Sequence, residues 1–334
     1  MHKWSRLIGK TIGTLFAAVI GIVLIFWLRA EFVESERREV AAPPTGRFVQ
    51  AADVELFIQE TGPADGPAVL FIHGTAAWSE FWRETMTKLA AAGYHCIAID
   101  IPPFGFSQRP VSSSFGNDAQ ARRIVALIDA LELPSATLVG HSFGGGATME
   151  AALIIPERID NLILLDVGGL NLGIPREGKI DTTSGLSWFM RTPVVRNPVF
   201  AATASNPLMT KTITATMVFD PDVVTPELES LVRQPLVLEG ATDSFANWLG
   251  YVLTVEEYSL TSDPANYRSL TMPSLIIWGD SDTVIPLEEG EYLASIMPNA
   301  ELVVMENVNH IPYLEDNRKM MEIVLDFLSE GQRP

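Results

Sequence analysis

A single serine set between two glycines constrains this chain more than any other feature. An apolar run over Ala136–Val139 leads into Gly140-His141-Ser142-Phe143-Gly144, and a run of helical character over Ala147–Ile155 follows. In such a strand–turn–helix corner the serine hydroxyl projects clear of the backbone, and the glycines let the helix and the neighbouring strand approach closely. The pattern predicts that Ser142 is a nucleophile at the end of a buried strand.

Apolar runs of strand length alternate with helical runs along most of the chain. This alternation predicts an α/β fold with a mostly parallel, doubly wound sheet covered on both faces. A hairpin of two alternating runs is expected before it, over Arg47–Ala51 and Val54–Glu60. The predicted strands are Ala68–Ile72, His95–Ile99, Ala136–Val139, Leu162–Leu165, Ser274–Trp278 and Leu302–Met305. The predicted helices are Phe81–Ala92, Asp118–Leu131, Gly144–Ile155, Leu287–Ile296 and Asn317–Leu328.

One stretch of about 100 residues, 168–266, shows no clear strand and many prolines and aromatic residues. Because a loop of that length is rare in a compact domain, we predict a helical cap over 168–266, inserted into a core made of 46–167 and 267–334. Its aromatic side chains are expected to form the interior of the cap more than to contact substrate.

The N-terminal region contains an uncharged stretch over Thr11–Leu28. As a helix it is about 27 Å long, close to the hydrocarbon thickness of a bilayer. We predict a short leading segment at 1–10, a transmembrane anchor at 11–28 and a linker at 29–45. The alternative is a cleaved signal peptide, but no small-x-small cleavage site follows directly. Basic residues are nearly balanced on the two sides of the span. The free N-terminus and the short leading segment favour an inside N-terminus and a catalytic domain on the non-cytoplasmic side.

Charge and cysteine content exclude several classes of function. The net charge of −18 argues against nucleic acid as a partner. The lone cysteine, Cys96, lies in an apolar run and is expected to be a buried small hydrophobe. We therefore predict no zinc site, no other metal and no cofactor.

A serine nucleophile needs a base, and that base needs an orienting acid. In hydrolases with this turn the acid and then the histidine follow the serine along the chain. Of the five histidines only His310 follows Ser142, in a loop after the last predicted strand. His310 is therefore the predicted base.

The acid is expected where another strand ends. Asp280 and Asp282 both follow the strand ending at Trp278. We favour Asp282, which reaches further into the loop, and expect Asp280 to turn the chain through Asx hydrogen bonding. Asp166, after the strand ending at Leu165, is the reserve acid, with a strand-end cap as its alternative role.

An oxyanion hole needs two N–H donors. The amide of Phe143, at the start of the helix after the serine, is the first. The amide of Thr75, after His73 and Gly74 in the loop that follows a buried strand, is predicted to be the second. His73 itself is expected to be structural, since no second metal ligand stands at ligand spacing.

Several motifs in this order resemble the α/β-hydrolase superfamily, in its branch with a helical cap after the sixth strand. They cover about residues 47–328 and are His73-Gly74 with Trp82, Asp100-Ile101-Pro102-Pro103-Phe104-Gly105-Phe106-Ser107, Gly140-His141-Ser142-Phe143-Gly144-Gly145, Gly279-Asp280-Ser281-Asp282 and Asn309-His310-Ile311-Pro312-Tyr313-Leu314-Glu315. The resemblance implies Ser142 as nucleophile, His310 as base, Asp282 as acid, and the amides of Thr75 and Phe143 as the oxyanion hole. Pro103 departs from the family, which usually has glycine there.

Within that superfamily, a serine at position 142 disfavours the epoxide hydrolases and haloalkane dehalogenases, which the chain resembles but which use aspartate. Serine implies attack on a carbonyl through an acyl-enzyme. We expect a membrane-anchored carboxylesterase or lipase-like enzyme acting on small apolar acyl esters. Hydrolysis of a carbon–carbon bond in ring-cleavage diketones, acyl transfer to another acceptor, and a non-catalytic binding role remain open alternatives.

Overall fold

The computed structural model describes residues 2–170, 185–254 and 259–330. Its eight strands form one sheet in the order β1-β2-β4-β3-β5-β6-β7-β8. The strands are β1 (Gly46–Ala51), β2 (Val54–Thr61), β3 (Ala68–Ile72), β4 (His95–Ile99), β5 (Ala136–His141), β6 (Ile159–Leu165), β7 (Ser274–Gly279) and β8 (Ala300–Met305). The hairpin β1–β2 pairs antiparallel and β2 runs antiparallel to β4, while every pair from β4 to β8 is parallel. The predicted mostly parallel α/β sheet is confirmed.

The described helices follow the predicted runs closely outside the insertion. They are α1 (His2–Val33), α2 (Arg38–Ala41), α3 (Arg83–Ala91), α4 (Asn117–Ala130), α5 (Phe143–Ile154), α6 (Gly185–Met190), α7 (Pro193–Ala202), α8 (Thr210–Ala215), α9 (Pro226–Arg233), α10 (Ala241–Thr254), α11 (Leu287–Ile296), α12 (Pro312–Glu315) and α13 (Asn317–Glu330). One difference is that the helix predicted from Phe81 begins as a 3₁₀ turn over Ser79–Trp82.

Alternate side chains of the buried strands face two separate hydrophobic layers, as the twofold period of a strand requires. In β3, Leu70 and Ile72 pack with α4, α5 and α11 on one face. Val69 and Phe71 pack with α3 and α13 on the other. Both faces of the sheet are thus covered by helices. Because the strands from β4 to β8 are parallel, their carboxyl ends meet at one edge, where loops can carry functional side chains.

Between β6 and β7 the described residues are helical, from α6 to α10 and then short 3₁₀ turns up to Ser269. We call the described residues 185–269 the inserted segment. It extends three residues beyond the predicted cap, 168–266, whose residues 171–184 and 255–258 lie outside the described residues. The division of the chain into a core and a cap stays a prediction.

Helix α1 continues further than the sequence indicated. The predicted span ends at Leu28 and a linker was expected from Arg29, but the helix runs to Val33 because Arg29–Val33 contains neither proline nor glycine to stop it. A 24-residue part, Lys10–Val33, has a mean hydropathy of 2.4 and is not buried in the protein. Its length and composition fit a membrane span and equally a signal sequence.

The end of α1 is fixed to the inserted segment. Helix α1 packs against α7. Glu34 accepts hydrogen bonds from the backbone N–H (3.0 Å) and the hydroxyl of Thr242, near the N-terminus of α10. Glu36 forms a parallel bridge with Leu238. The predicted linker is therefore partly ordered, with the short helix α2 inside it.

Candidate active site

Ser142 sits in a strained turn between β5 and α5. Its backbone has φ +48° and ψ −125°, a region that non-glycine residues rarely adopt. Three hydrogen bonds hold it there: its N–H donates to the carbonyl of Leu165, and its carbonyl accepts from Gly145 and Gly168. A Cβ on Gly144 would stand 2.3 Å from the carbonyl oxygen of His73. Glycine at that position is thus what lets α5 approach the loop after β3.

Three side chains that the sequence separates meet at the carboxyl edge of the sheet. The hydroxyl oxygen of Ser142 lies 2.9 Å from Nε2 of His310, and Nδ1 of His310 lies 2.8 Å from Oδ2 of Asp282. The side chains of His310 and Asp282 are 4% and 0% exposed. This geometry suits proton transfer from the hydroxyl to a ring held in one tautomer by the carboxylate.

The two aspartates in the loop after β7 make hydrogen bonds that differ from those expected from the sequence. Oδ1 of Asp282 accepts from the N–H groups of Val284 (2.7 Å) and Ile285 (2.9 Å), so the Asx hydrogen bonding expected at Asp280 occurs at Asp282. Asp280 instead accepts from the N–H of Asn307 at 3.0 Å and joins the loops after β7 and β8. The expected Asx turn at Asp280 was wrong because the neighbouring loop supplies its donor.

One carboxylate accepts hydrogen bonds from the residues directly before and directly after His310. Glu315, at the end of α12, accepts from the N–H of Asn309 and of Ile311. It also accepts from the N–H of Phe219 in the inserted segment, at 2.6 Å. Sequence reasoning missed this role, although Glu315 stands five residues after His310, within reach of N–H groups on either side of it.

His141, next to the serine, is a neutral support for His310. Its Nε2 lies 2.8 Å from the backbone carbonyl of His310, and its Nδ1 lies 3.1 Å from the hydroxyl of Tyr313. Burial first, and then the nearby His310, hold the pKa of His141 well below its usual value. The neutral ring donates at Nε2 and accepts at Nδ1. Its position in the serine motif gave no signal of this partner.

The two predicted oxyanion donors come from different parts of the chain near the serine. Phe143 is the first residue of α5, and Thr75 lies in the loop after β3 and lines the same cavity as Ser142. Gly74 is in contact with the serine, since a Cβ there would stand 2.9 Å from the Cβ of Ser142. His73 is structural as expected: Nδ1 lies 2.7 Å from the carbonyl of Gly74, and Nε2 accepts from Ile101 at 3.0 Å.

Beside the triad a second carboxylate, Asp166, completes a group of three ligand-type atoms with Asp282 and His310, all within 4.8 Å of one another. Such a group could in principle hold a cation. Both ring nitrogens of His310 are already hydrogen-bonded within the triad. A cation here would therefore replace the bond between His310 and Asp282.

A cavity of about 370 Å³ opens onto Ser142 and His310. Most of its walls are apolar, and the inserted segment contributes much of them, including Leu236, Phe245 and Trp248. The expectation for the aromatic residues thus holds only in part. Phe200 is buried inside the segment and Trp188 is 62% exposed. Phe245 and Trp248, both on α10, line the cavity and pack against Phe104.

A family model described as the α/β-hydrolase fold matches residues 67–317 of this chain. The chain belongs to the α/β-hydrolase family. It is 31% identical over 294 residues to a 2-hydroxymuconate semialdehyde hydrolase from Pseudomonas sp. (strain CF600), covering 87% of this chain and 96% of that protein. The resemblance to this family, and to its carbon–carbon hydrolases, is confirmed.

Two solved structures are also similar to this chain. One is a meta-cleavage product hydrolase from Pseudomonas fluorescens IP01, with 26% identity, a TM-score of 0.68, and coverage of 86% of this chain and 99% of that one. The other is a bacterial membrane phospholipase A, with 20% identity, a TM-score of 0.68, and full coverage of both chains. The second likeness shows the fold alone, over a length that includes helix α1.

Proposed function

We propose that this α/β-hydrolase is a serine hydrolase in which Ser142 attacks a carbonyl carbon. The observation that carries the proposal is the chain of short contacts from Ser142 to His310 and from His310 to Asp282. His310 takes the hydroxyl proton as the new C–O bond forms, and the amides of Thr75 and Phe143 receive the oxyanion. His310 then gives that proton to the leaving group, and a water molecule hydrolyses the acyl-enzyme by the same route.

Acyl-ester hydrolysis is the first candidate reaction, and the cavity supports it. The walls are mostly apolar, which suits an uncharged acyl chain. Among the described lining residues the one lysine or arginine is Arg109. Its guanidinium donates to the carbonyl of Glu239 and lies close to the carboxylates of Glu34 and Asp243. An anionic substrate that approached this arginine would therefore also be repelled by the nearby carboxylates.

Carbon–carbon bond hydrolysis is the second candidate, and the named relatives support it better than they support ester hydrolysis. One relative is a 2-hydroxymuconate semialdehyde hydrolase, and another, 30% identical over 288 residues, is a 2-hydroxy-6-oxo-2,4-heptadienoate hydrolase from Pseudomonas putida. The same serine and histidine would serve this reaction, with a carbon leaving group protonated in place of an alcohol.

A substrate panel separates the two reactions. The wild-type chain is assayed with p-nitrophenyl esters of increasing acyl length and with a 2-hydroxy-6-oxo-dienoate. A kcat/KM at least about a hundredfold higher for one class, a gap of about 2.7 kcal/mol in transition-state binding, assigns the reaction. Ser142→Ala should lower the favoured activity by at least about a thousandfold while the circular dichroism spectrum stays unchanged. Full activity in Ser142→Ala would overturn the serine mechanism.

We also propose that α1 anchors the enzyme in a membrane, with the catalytic part on the non-cytoplasmic side. The mean hydropathy and the exposure of Lys10–Val33 support the anchor. Basic residues are nearly balanced on its two sides, so the orientation rests on the short leading segment. Protease added to intact spheroplasts should digest the catalytic part. Digestion only after lysis would overturn the orientation.

A further inference from the structure

Asp166 is a buried acid beside the triad that the proposed mechanism does not use. It ends β6, is fully buried, and adopts φ +42°, which points to a constrained position. Oδ1 accepts from the N–H of Gly279 at 2.8 Å, which ties β6 to the end of β7. Oδ2 is buried and accepts from no donor among the described residues. A buried carboxylate oxygen without a donor is costly, so Oδ2 calls for an explanation.

A neighbouring acceptor group is the carboxylate of the proposed catalytic acid, Asp282. One carboxyl oxygen of Asp166 and one of Asp282 lie within 4.8 Å of each other and of a ring nitrogen of His310. Two carboxyl groups this close, both shielded from water, cannot both be ionised. One of them therefore holds a proton, and the arrangement of donors shows which.

Donors converge on Asp282 rather than on Asp166. The carboxylate of Asp282 accepts two backbone N–H groups and the ring of His310. Asp166 accepts one N–H group, from Gly279. Because hydrogen bonds to the charged form favour that form, the negative charge belongs on Asp282 and the proton on Oδ2 of Asp166.

The other ionisable groups around Asp166 come from three elements. Asp282 lies on the loop after β7, His310 on the loop after β8, and Tyr313 and Glu315 on α12. Burial raises the pKa of Asp166 well above its usual value, and the charges of Asp282 and Glu315 raise it further against the effect of the Gly279 N–H. These surroundings agree with the placement of the proton.

We propose that Asp166 is a positioning residue that remains protonated at neutral pH and donates a hydrogen bond from Oδ2 to the carboxylate of Asp282. The inference rests on the proposed serine mechanism. The donated bond spreads the charge of Asp282, so that the carboxylate orients His310 without taking its proton. It also helps to fix the plane of the carboxylate. No proton leaves Asp166 during the reaction.

Asp166→Asn tests the proposal, because the amide can still accept from Gly279 and donate to Asp282 while carrying no charge at any pH. The readout is the pH dependence of the rate at which a fluorophosphonate labels Ser142, which needs no knowledge of the substrate. If Asp166 is neutral in the wild type, the acid limb of this profile moves by less than about 0.3 pH units. If Asp166 is ionised, the variant removes a negative charge near His310, and the limb moves about 1 unit or more toward lower pH. The second result would overturn the proposal.

Asp166→Leu removes the donor without adding charge. Asp282 then keeps its full negative charge, so the acid limb should move to higher pH and the labelling rate at neutral pH should fall about tenfold or more. A profile identical to that of the wild type would mean that Asp166 has no effect on the charge of Asp282, and this result would contradict the proposal. Should this variant fail to fold, Asp166→Asn still decides the question.

An infrared difference spectrum of wild type minus Asp166→Asn at pH 7 tests the proton directly. The proposal requires a stretching band of a protonated carboxyl group that the variant lacks. Absence of this band overturns the proposal even where Ser142 is labelled normally. Presence of the band in a protein that no fluorophosphonate labels supports the protonated Asp166 and counts against the serine mechanism instead.

Discussion

At the scale of single residues, two aspartates two positions apart have different surroundings. Asp282 is buried against His310, whereas Asp280 is exposed and bonds to a neighbouring loop. Asp282→Asn should lower kcat/KM about ten-thousandfold, because an amide favours the wrong tautomer of His310. Asp280→Asn is the matched control, since its amide oxygen can still accept from Asn307, and it should change kcat/KM by less than about threefold. Equal losses in the two variants would contradict the assignment of Asp282.

His73 makes stability depend on pH, since burial lowers its pKa to about 4 from 6.5. Its Nε2 accepts a hydrogen bond from the N–H of Ile101. Protonation of Nε2 would therefore place two N–H donors against each other. The unfolded chain binds this proton below pH 6.5 and the folded chain only below about pH 4, and stability is therefore lost as the pH falls through that window. The difference of 2.5 units (6.5 − 4) corresponds to about 3 kcal/mol at most.

His73→Gln tests this titration by removing it. Relative to the variant, the wild type should lose about 3 kcal/mol of unfolding free energy between pH 6.5 and pH 4, measured by urea denaturation. The comparison must be between the two proteins, because burial raises the pKa of Asp100 to about 6 and its titration acts with the opposite sign in the same window. Parallel pH profiles for the two proteins would contradict the role given to His73.

The order of residues along the chain was enough to single out Ser142 and His310 as partners. The supports of His310 were not predictable in the same way. His141 and Glu315 act through backbone groups, and a backbone acceptor or donor leaves no pattern in the side chains. Asp166 could be named as a candidate acid, but its relation to Asp282 depends on how β6 and β7 pair in the sheet.

At the scale of elements, strands and helices of the core were predicted to within a few residues because each has a clear period of apolar side chains. Helix α11 spans Leu287–Ile296 as expected, and α5 begins at Phe143, one residue before its predicted start at Gly144. The bounds of the inserted helices could not be predicted, since their prolines and short lengths blur any period. Helix α1 overran its predicted end because hydropathy marks where apolar residues stop, not where helical backbone stops.

The contact between Glu34, directly after α1, and the start of α10 gives a prediction at this scale. Glu34 bonds to the N–H and hydroxyl of Thr242 near the start of α10, as an N-terminal capping group does. Glu34→Ala should lower the unfolding free energy in detergent by about 1 kcal/mol. Glu31→Ala, at an exposed position of α1, should change it by less than about 0.5 kcal/mol. An equal effect of both variants would show that the bond to Thr242 contributes nothing.

At the scale of the whole molecule, the sequence predicted the helical layers on both faces of the sheet but not which strands lie side by side. Alternating elements required a sheet with two covered faces, and the structure has them. The strand order, which brings the ends of β5, β6, β7 and β8 together, depends on crossovers between distant parts of the chain. The cavity depends on the same long-range placement, because its walls come from both the core and the inserted segment.

The proposed membrane attachment concerns the entire chain, and its test separates an anchor from a cleaved signal. With a net charge of −18, the remainder of the protein is repelled by anionic lipid head groups, so attachment depends on α1. The full chain should keep its N-terminal mass and stay in the membrane pellet after extraction with alkaline carbonate.

Val19→Arg with Ile22→Arg places two charges at exposed positions inside the span, at a cost of about 5–7 kcal/mol, and should move the protein to the soluble fraction. Phe32→Arg is the control, because an arginine near the end of a span reaches the interface. A mature chain that has lost α1, or a double variant that still pellets, would contradict the anchor.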